Sequence, residues 1–289
     1  MPHRVLPPSI LPICASGALL ILALGIIGVL QRQPYAWYQL AFGLLSLTVV
    51  IIVWFLCAID DARVLDARMQ KRSDAMYRWS MFWFIFSEVW FFAALFGILW
   101  YARVVSVPTL AGDYVGDRLT HYLLWPSFDY QWPLLAVPDP SRYQGPVATI
   151  SLWGLPLINT VILLTSGVTI TIAHWALLQG SRLGALCWQL VTCVLGCAFL
   201  YCQYIEYVEA HQHLGLTLSS GIFGSVFYFL TGFHGLHVAL GTLMLLGISL
   251  RIGFNHFTPS SHLAFEVVSW YWHFVDVVWL LLFIFVYWL

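Results

Sequence analysis

Charge is scarce in this sequence. Asp, Glu, Lys and Arg make up 9% of its 289 residues and hydrophobic residues 61%, whereas a soluble globular domain carries roughly 25% charged residues. A water-soluble fold is thereby excluded. There is no long basic run, and the formal net charge is -1, so the electrostatic footprint of a nucleic-acid partner is missing. The cysteines offer no framework either. Cys14, Cys57, Cys187, Cys193, Cys197 and Cys202 lie in apolar stretches with no Cys-x-x-Cys pair among them, which reads as small buried side chains rather than disulfides or a zinc site. The N-terminus lacks the secretory order of charged region, short apolar core and small-residue cleavage site, so the first apolar run is expected to be retained as a helix.

Apolar runs of about 20 residues, long enough to cross a ~30 Å hydrocarbon core, lie near 11 to 30, 35 to 59, 79 to 105, 149 to 178, 184 to 205, 221 to 250 and 263 to 289. The expected fold is all-α, a polytopic membrane bundle of seven transmembrane helices. Two polar interruptions stand out: 60 to 78, dense in charge from Asp60 to Arg78, and 106 to 148, rich in Pro, Gly and aromatics. The first is expected as a cytoplasmic-type loop and the second as an extended outer loop. They suggest a part over 1–78, holding two helices and the charged loop, and a five-helix part over 79–289.

Alternate connections share a face, so cations can be sorted by side. Arg4, Arg63, Arg68, Lys71, Arg72, Arg78, Arg182 and Arg251 fall on one, and only Arg32, Arg103, Arg118 and Arg142 on the other. Excess positive charge marks the cytoplasmic or matrix face, which puts the N-terminus inside and the C-terminus outside. Trp37, Trp54, Trp79, Trp100, Trp153, Trp270 and Trp288 lie near run ends, where an amphipathic indole is stable at headgroup level.

Glu88 is the sharpest chemical signal. It sits nine residues past Trp79, ~14 Å along a helix and close to mid-membrane. An ionised carboxylate there costs about 2.5 to 3.5 kcal/mol, so the group is expected to be protonated, paired or facing an internal cavity. It reads either as a proton-handling group or as a neutral acid bonded to a neighbouring helix. His234 and His237, at i and i+3, are expected to face one way on the sixth span, and His273 and Asp276 repeat the spacing on the seventh. Such a set is compatible with a metal or haem site. A packed polar seam, with Gly232, Gly235 and Gly241 admitting close helices, is preferred, because spacing alone does not make ligands from different helices converge. His174 and Asn159 on the fourth span are expected to hydrogen-bond between helices. Glu206 and Glu209, with His211 and His213, form an outer-face cluster that reads as solvated or paired. Arg78 and Arg251 stand at the cytoplasmic interface, suited either to lipid phosphates or to plain anchoring.

Longer motifs carry a family resemblance. Ser87-Glu88-Val89-Trp90-Phe91-Phe92 resembles the third-helix signature of cytochrome c oxidase subunit III. Asn159-Thr160, Ser166-Gly167-Val168-Thr169-Ile170 and Ala173-His174 are similar to its fourth helix, and Gln203-Tyr204-Ile205-Glu206-Tyr207-Val208-Glu209-Ala210 to its fifth. Thr231-Gly232-Phe233-His234-Gly235-Leu236-His237-Val238 and Trp270-Tyr271-Trp272-His273-Phe274-Val275-Asp276-Val277-Val278-Trp279 complete the match over residues 79 to 289, while the first two spans resemble the family only in general character.

The resemblance implies an accessory subunit without a catalytic residue, haem, copper or other metal of its own, the haem and copper being held by partner subunits. It implies direct contact with core subunit one, a complex that includes subunit two and small subunits, and structural phospholipids in a cleft between the first two helices and the other five. It also implies support of proton uptake, with Glu88 as the family's buried carboxyl and Trp54, Arg78 and Arg251 as lipid contacts. A bacterial cytoplasmic membrane is expected ahead of the mitochondrial inner membrane. The segment 211–220 is longer than the family pattern, with Ser220 where Asp is usual, and the loop 106–148 is particular to this branch. The rival readings are the third subunit of a quinol oxidase, which generally has fewer spans, a haem- or metal-dependent enzyme built on His234, His237 and His273, and a stand-alone proton or ion transporter, for which the chain lacks paired interrupted helices.

Overall fold

A computed structural model describes residues 9–64, 67–113, 118–141 and 144–289, without the side chains of 58–64 and 67–70. Arg4, Arg63, Arg68 and Arg142, counted above, lie outside the described side chains. Among the described residues, seven helices are long and apolar enough to cross a membrane. In order they are α1 (Leu11–Leu30), α2 (Ala36–Val64), α3 (Ala67–Tyr101), then, past the short α4 (Val107–Leu110) and α5 (Arg118–Leu124), α6 (Leu155–Leu178), α7 (Arg182–Gln212), α8 (Ile222–Gly253) and α9 (Leu263–Leu282). π-helical turns extend α3 over Ala102–Ser106 and α9 over Phe283–Trp288. No strand occurs among the described residues. A helix satisfies every interior backbone group within itself, which lipid demands of a spanning segment. The seven interface tryptophans all remain exposed.

The charged stretch 60–78 departs from expectation, since it is helical over 60–64 and 67–78. Its Asp, Arg, Lys, Met and Ala residues end the apolar pattern, while helix runs on to 64 in α2 and is present again from 67 in α3. Ala, Arg, Lys and Met rank among the better helix formers, so loss of hydrophobicity marks the lipid boundary rather than a loop.

The chain divides into two compact units, Met1–Met76 and Tyr77–Leu289. In the first, α1 and α2 meet at glycines: a Cβ on Gly25 would lie 2.7 Å from Leu40 Cα, and one on Gly43 2.7 Å from Leu22 Cα. Only hydrogen fits at these crossings, the small-residue packing that membrane helices use.

In the second unit α6 packs on α7, α7 on α8, α8 on α9, and α9 back on α6. Buried polar ties pin them. Trp272 Nε1 donates to Ser166 Oγ at 2.9 Å and Trp279 Nε1 to Thr160 Oγ1 at 3.0 Å. Gln203 Nε2 donates to the Thr231 carbonyl at 2.8 Å, close against Gly235. Gly241 receives the Trp272 ring, whereas Gly232 has ordinary spacing. Asn159, expected to bond between helices, is fully buried with neither side-chain atom partnered among the described residues; the packing offers no account of it.

The segment 106–148 packs against its own chain rather than extending away. Val107, Phe128 and Leu134 form an apolar cluster with Ala210, Leu216, Phe223 and Phe227 at the ends of α7 and α8. Val147 N donates to the Leu214 carbonyl at 2.9 Å. Ser220, buried, closes the same turn, accepting from Thr217 N at 3.0 Å and donating to Thr217 O at 2.8 Å.

Candidate functional site

Glu88, fourth from last of the aromatic-rich turns of α3, is paired. Its Oε2 lies 2.9 Å from His237 Nε2 on α8, and the two side chains are 22% and 10% exposed. His237 Nδ1 lies 2.6 Å from the Phe233 carbonyl, one turn back on α8. A carbonyl only accepts, so Nδ1 carries a hydrogen. The Nε2 contact then holds one proton: a neutral carboxyl donates to a bare nitrogen, or an imidazolium donates to a carboxylate. Both forms are net neutral. Aromatic rings wall the pair, with Phe92 5.1 Å and Phe91 6.2 Å from the imidazole centroid and Tyr271 at 6.4 Å.

His234 does not share that environment. Its Nε2 donates to the Val275 carbonyl on α9 at 3.2 Å, and its ring lies between Phe199 and Trp279, fully buried. The i, i+3 spacing, expected to aim both imidazoles one way, sends one to α9 and the other to α3. His273 and Asp276 do stay together, Nδ1 to Oδ2 3.7 Å, on the side of α9 that meets α6, where His273 Nε2 reaches Thr171 Oγ1 at 3.4 Å. His174 lies elsewhere again, its ring centroid 5.3 Å from His262 and 5.1 Å from Phe265. The expected seam is thus four separate contacts. Among the described residues no group of three or more His, Cys, Asp or Glu is placed to hold a metal ion.

Glu206 and Glu209 part company. Glu206 is 1% exposed and its Oε1 accepts from Tyr287 Oη at 2.6 Å, while Glu209 is exposed. Glu206 is therefore a second buried carboxyl, not part of a surface cluster. Tyr287 escaped the sequence reading because the π-helical turn over Phe283–Trp288 carries it there. At the opposite end, Arg78 is held by Glu266, Nη2 to Oε2 2.8 Å and Nε to Oε1 3.1 Å. Arg251 lies 4.5 Å over the Phe257 ring, and Arg182 Nε donates to the Ile252 carbonyl at 3.0 Å, with Nη2 on Gly253 O. Trp54 on α2 is exposed.

Seven apolar helices, with a carboxyl–imidazole pair between two of them, define a polytopic integral membrane protein of the helical-bundle class. The chain belongs to the cytochrome c oxidase subunit III family, whose model matches residues 1–116 and 142–289. The similarity thus includes the first two spans, which motifs alone did not reach, and passes over 117–141 in the outer segment. Relatives named cytochrome c oxidase subunit 3 include one from Papio hamadryas, 34% identical over 99% of this chain and 96% of its own. Another, from Mycosarcoma maydis, is 34% identical over 99% and 94%. A third, from Prototheca wickerhamii, is 35% identical over 99% and 97%.

Proposed function

We propose that the chain is the non-redox third subunit of a proton-pumping haem-copper cytochrome c oxidase, where it flanks core subunit one, retains phospholipid and sustains proton uptake. The observation that carries the reading is the 2.9 Å contact between Glu88 Oε2 and His237 Nε2 at mid-span. A net-neutral pair lets a carboxyl sit at the depth where a lone charge is costly. The dispersal of His174, His234, His237 and His273 over different helix contacts favours a chain without haem, copper or iron of its own. The end bearing Arg78, Arg182 and Arg251 would face the cytoplasm, by the charge rule. Retention of lipid would involve Trp54, Arg78 and Arg251, with the Arg78 guanidinium held in place by Glu266. The membrane would be the bacterial cytoplasmic membrane ahead of the mitochondrial inner membrane.

Affinity purification through this chain tests the proposal. Haem-bearing core subunits should accompany it, with cytochrome c rather than quinol as donor, and the separated subunit should show no haem absorbance. One tightly bound transition metal per chain, lost on His234→Ala, would overturn the accessory role.

A further inference from the structure

Where α6 ends and α9 begins, two imidazoles meet. His174 lies one turn from the end of α6, and His262 is the residue before α9. Their ring centroids are 5.3 Å apart, with the planes inclined at 59°. His174 Nε2 and His262 Nδ1 are both screened from solvent, and neither has a hydrogen-bond partner among the described residues. Buried polar atoms without partners are rare, and two at one contact call for a shared guest. Spacing separates the guests. A water molecule stands ~3 Å from a nitrogen, and the screening of both atoms leaves it no room there. Zinc stands ~2.0–2.1 Å from an imidazole nitrogen, which, with the ring centre ~1.2 Å further on and a tetrahedral angle at the metal, puts two rings on one ion ~5.2 Å apart. The observed spacing agrees with that figure. The local charge suits a cation, because His174 feels the Glu266 carboxylate. No third His, Cys, Asp or Glu among the described residues is placed to complete the shell, and Thr258, Pro259, Ser260 and Ser261, just before His262, are exposed.

We propose that His174 and His262 bind one zinc ion, and that the ion clamps the end of α6 to the start of α9 on the face bearing Arg78 and Arg251. With two protein ligands and water in the remaining positions, the ion exchanges with the surrounding solution. It is neither a redox centre nor a structural zinc, which takes four protein ligands. The assignment stands on the meeting of these two helix ends and is independent of the oxidase reading.

Radioactive zinc titrated into the purified complex tests the site. His174→Ala and His262→Ala should each weaken one class of binding by about tenfold or more, since loss of even a supporting group costs that much in metal affinity. His262→Ala guards against misfolding, because the side chain makes no capping bond to α9. Zinc should also slow hydrogen exchange in the last turn of α6 and the first turn of α9 of the unaltered chain, and in neither variant. That readout separates the pair from zinc held by the exposed His211 and His213. Equal uptake by the unaltered chain and both variants, uptake without slower exchange at the two helix ends, or no uptake at all overturns the site. If core subunits fail to accompany the chain, the functional reading falls, and the same titration on the purified chain still decides the zinc site.

Discussion

At the scale of single residues, one proton joins the Glu88 carboxyl to the His237 imidazole, and the carboxyl that donates it is a protonated acid. A hydrophobic carbodiimide, which partitions into lipid and attacks protonated carboxyls, should therefore modify Glu88 ahead of the exposed Glu209, as peptide mapping would show; modification of Glu209 alone would identify the imidazolium–carboxylate form. Glu88→Gln removes the titratable proton while its amide still donates to His237 Nε2. The expected outcome is normal assembly and normal first-turnover oxygen reduction, with earlier inactivation during sustained turnover; loss of the first turnover would place Glu88 on an obligatory path. Glu88 was legible in the sequence because a carboxylate nine residues inside an apolar run is conspicuous. Its partner was legible only as a member of a histidine pair. Depth was the overlooked signal, since His237 lies halfway along Ile222–Gly253 as Glu88 lies well inside its own span. Glu206 was read as solvated or paired, and its partner was not legible, because only the π-helical turn after α9 brings Tyr287 to it.

At the scale of elements, hydropathy located every span among the described residues, while α6 begins at Leu155 rather than near 149 and other ends moved outward. α7 runs to Gln212 and α8 to Gly253, past the apolar limits of the runs, because polar residues at a membrane surface continue a helix as readily as apolar ones within it. α8 ends where Asn255 turns into the left-handed region, φ 60°, with its N–H on the Ile252 carbonyl at 3.0 Å, and a cation from the neighbouring helix adds to that cap. Arg182, at the start of α7, donates to the carbonyls of Ile252 and Gly253, two of the groups that a helix C-terminus leaves without an internal partner. Arg182→Ala should cost about 1 to 2 kcal/mol of stability and speed hydrogen exchange in the last turn of α8, while α3 exchanges as before. In sequence Arg182 was one more cation on the inner face; capping across two helices depends on a packing angle that no local pattern encodes.

At the scale of the whole molecule, cations gather at one end of the second unit and the outer segment covers the α7–α8 turn at the other. That segment read as a projecting loop because Pro, Gly and aromatics are common in both packed and extended connections; only the meeting of Phe128 and Leu134 with Leu216, Phe223 and Phe227 decides between them. If the cationic end meets lipid phosphates, Arg251→Ala should lower phospholipid occupancy in native mass spectra of the complex by about 1 kcal/mol of binding, and unchanged occupancy would remove the site. The Glu88–His237 bond has a consequence for energised membranes. It runs from one span to another, so a proton moving between the two atoms travels across the spans rather than along them. Even aligned with the membrane normal, 2.9 Å is about a tenth of a ~30 Å core, worth only about 0.2 kcal/mol per 100 mV. The carboxyl stretching band that Glu88→Gln removes from the infrared spectrum should therefore hold its intensity when vesicles are polarised: the pair is nearly blind to voltage.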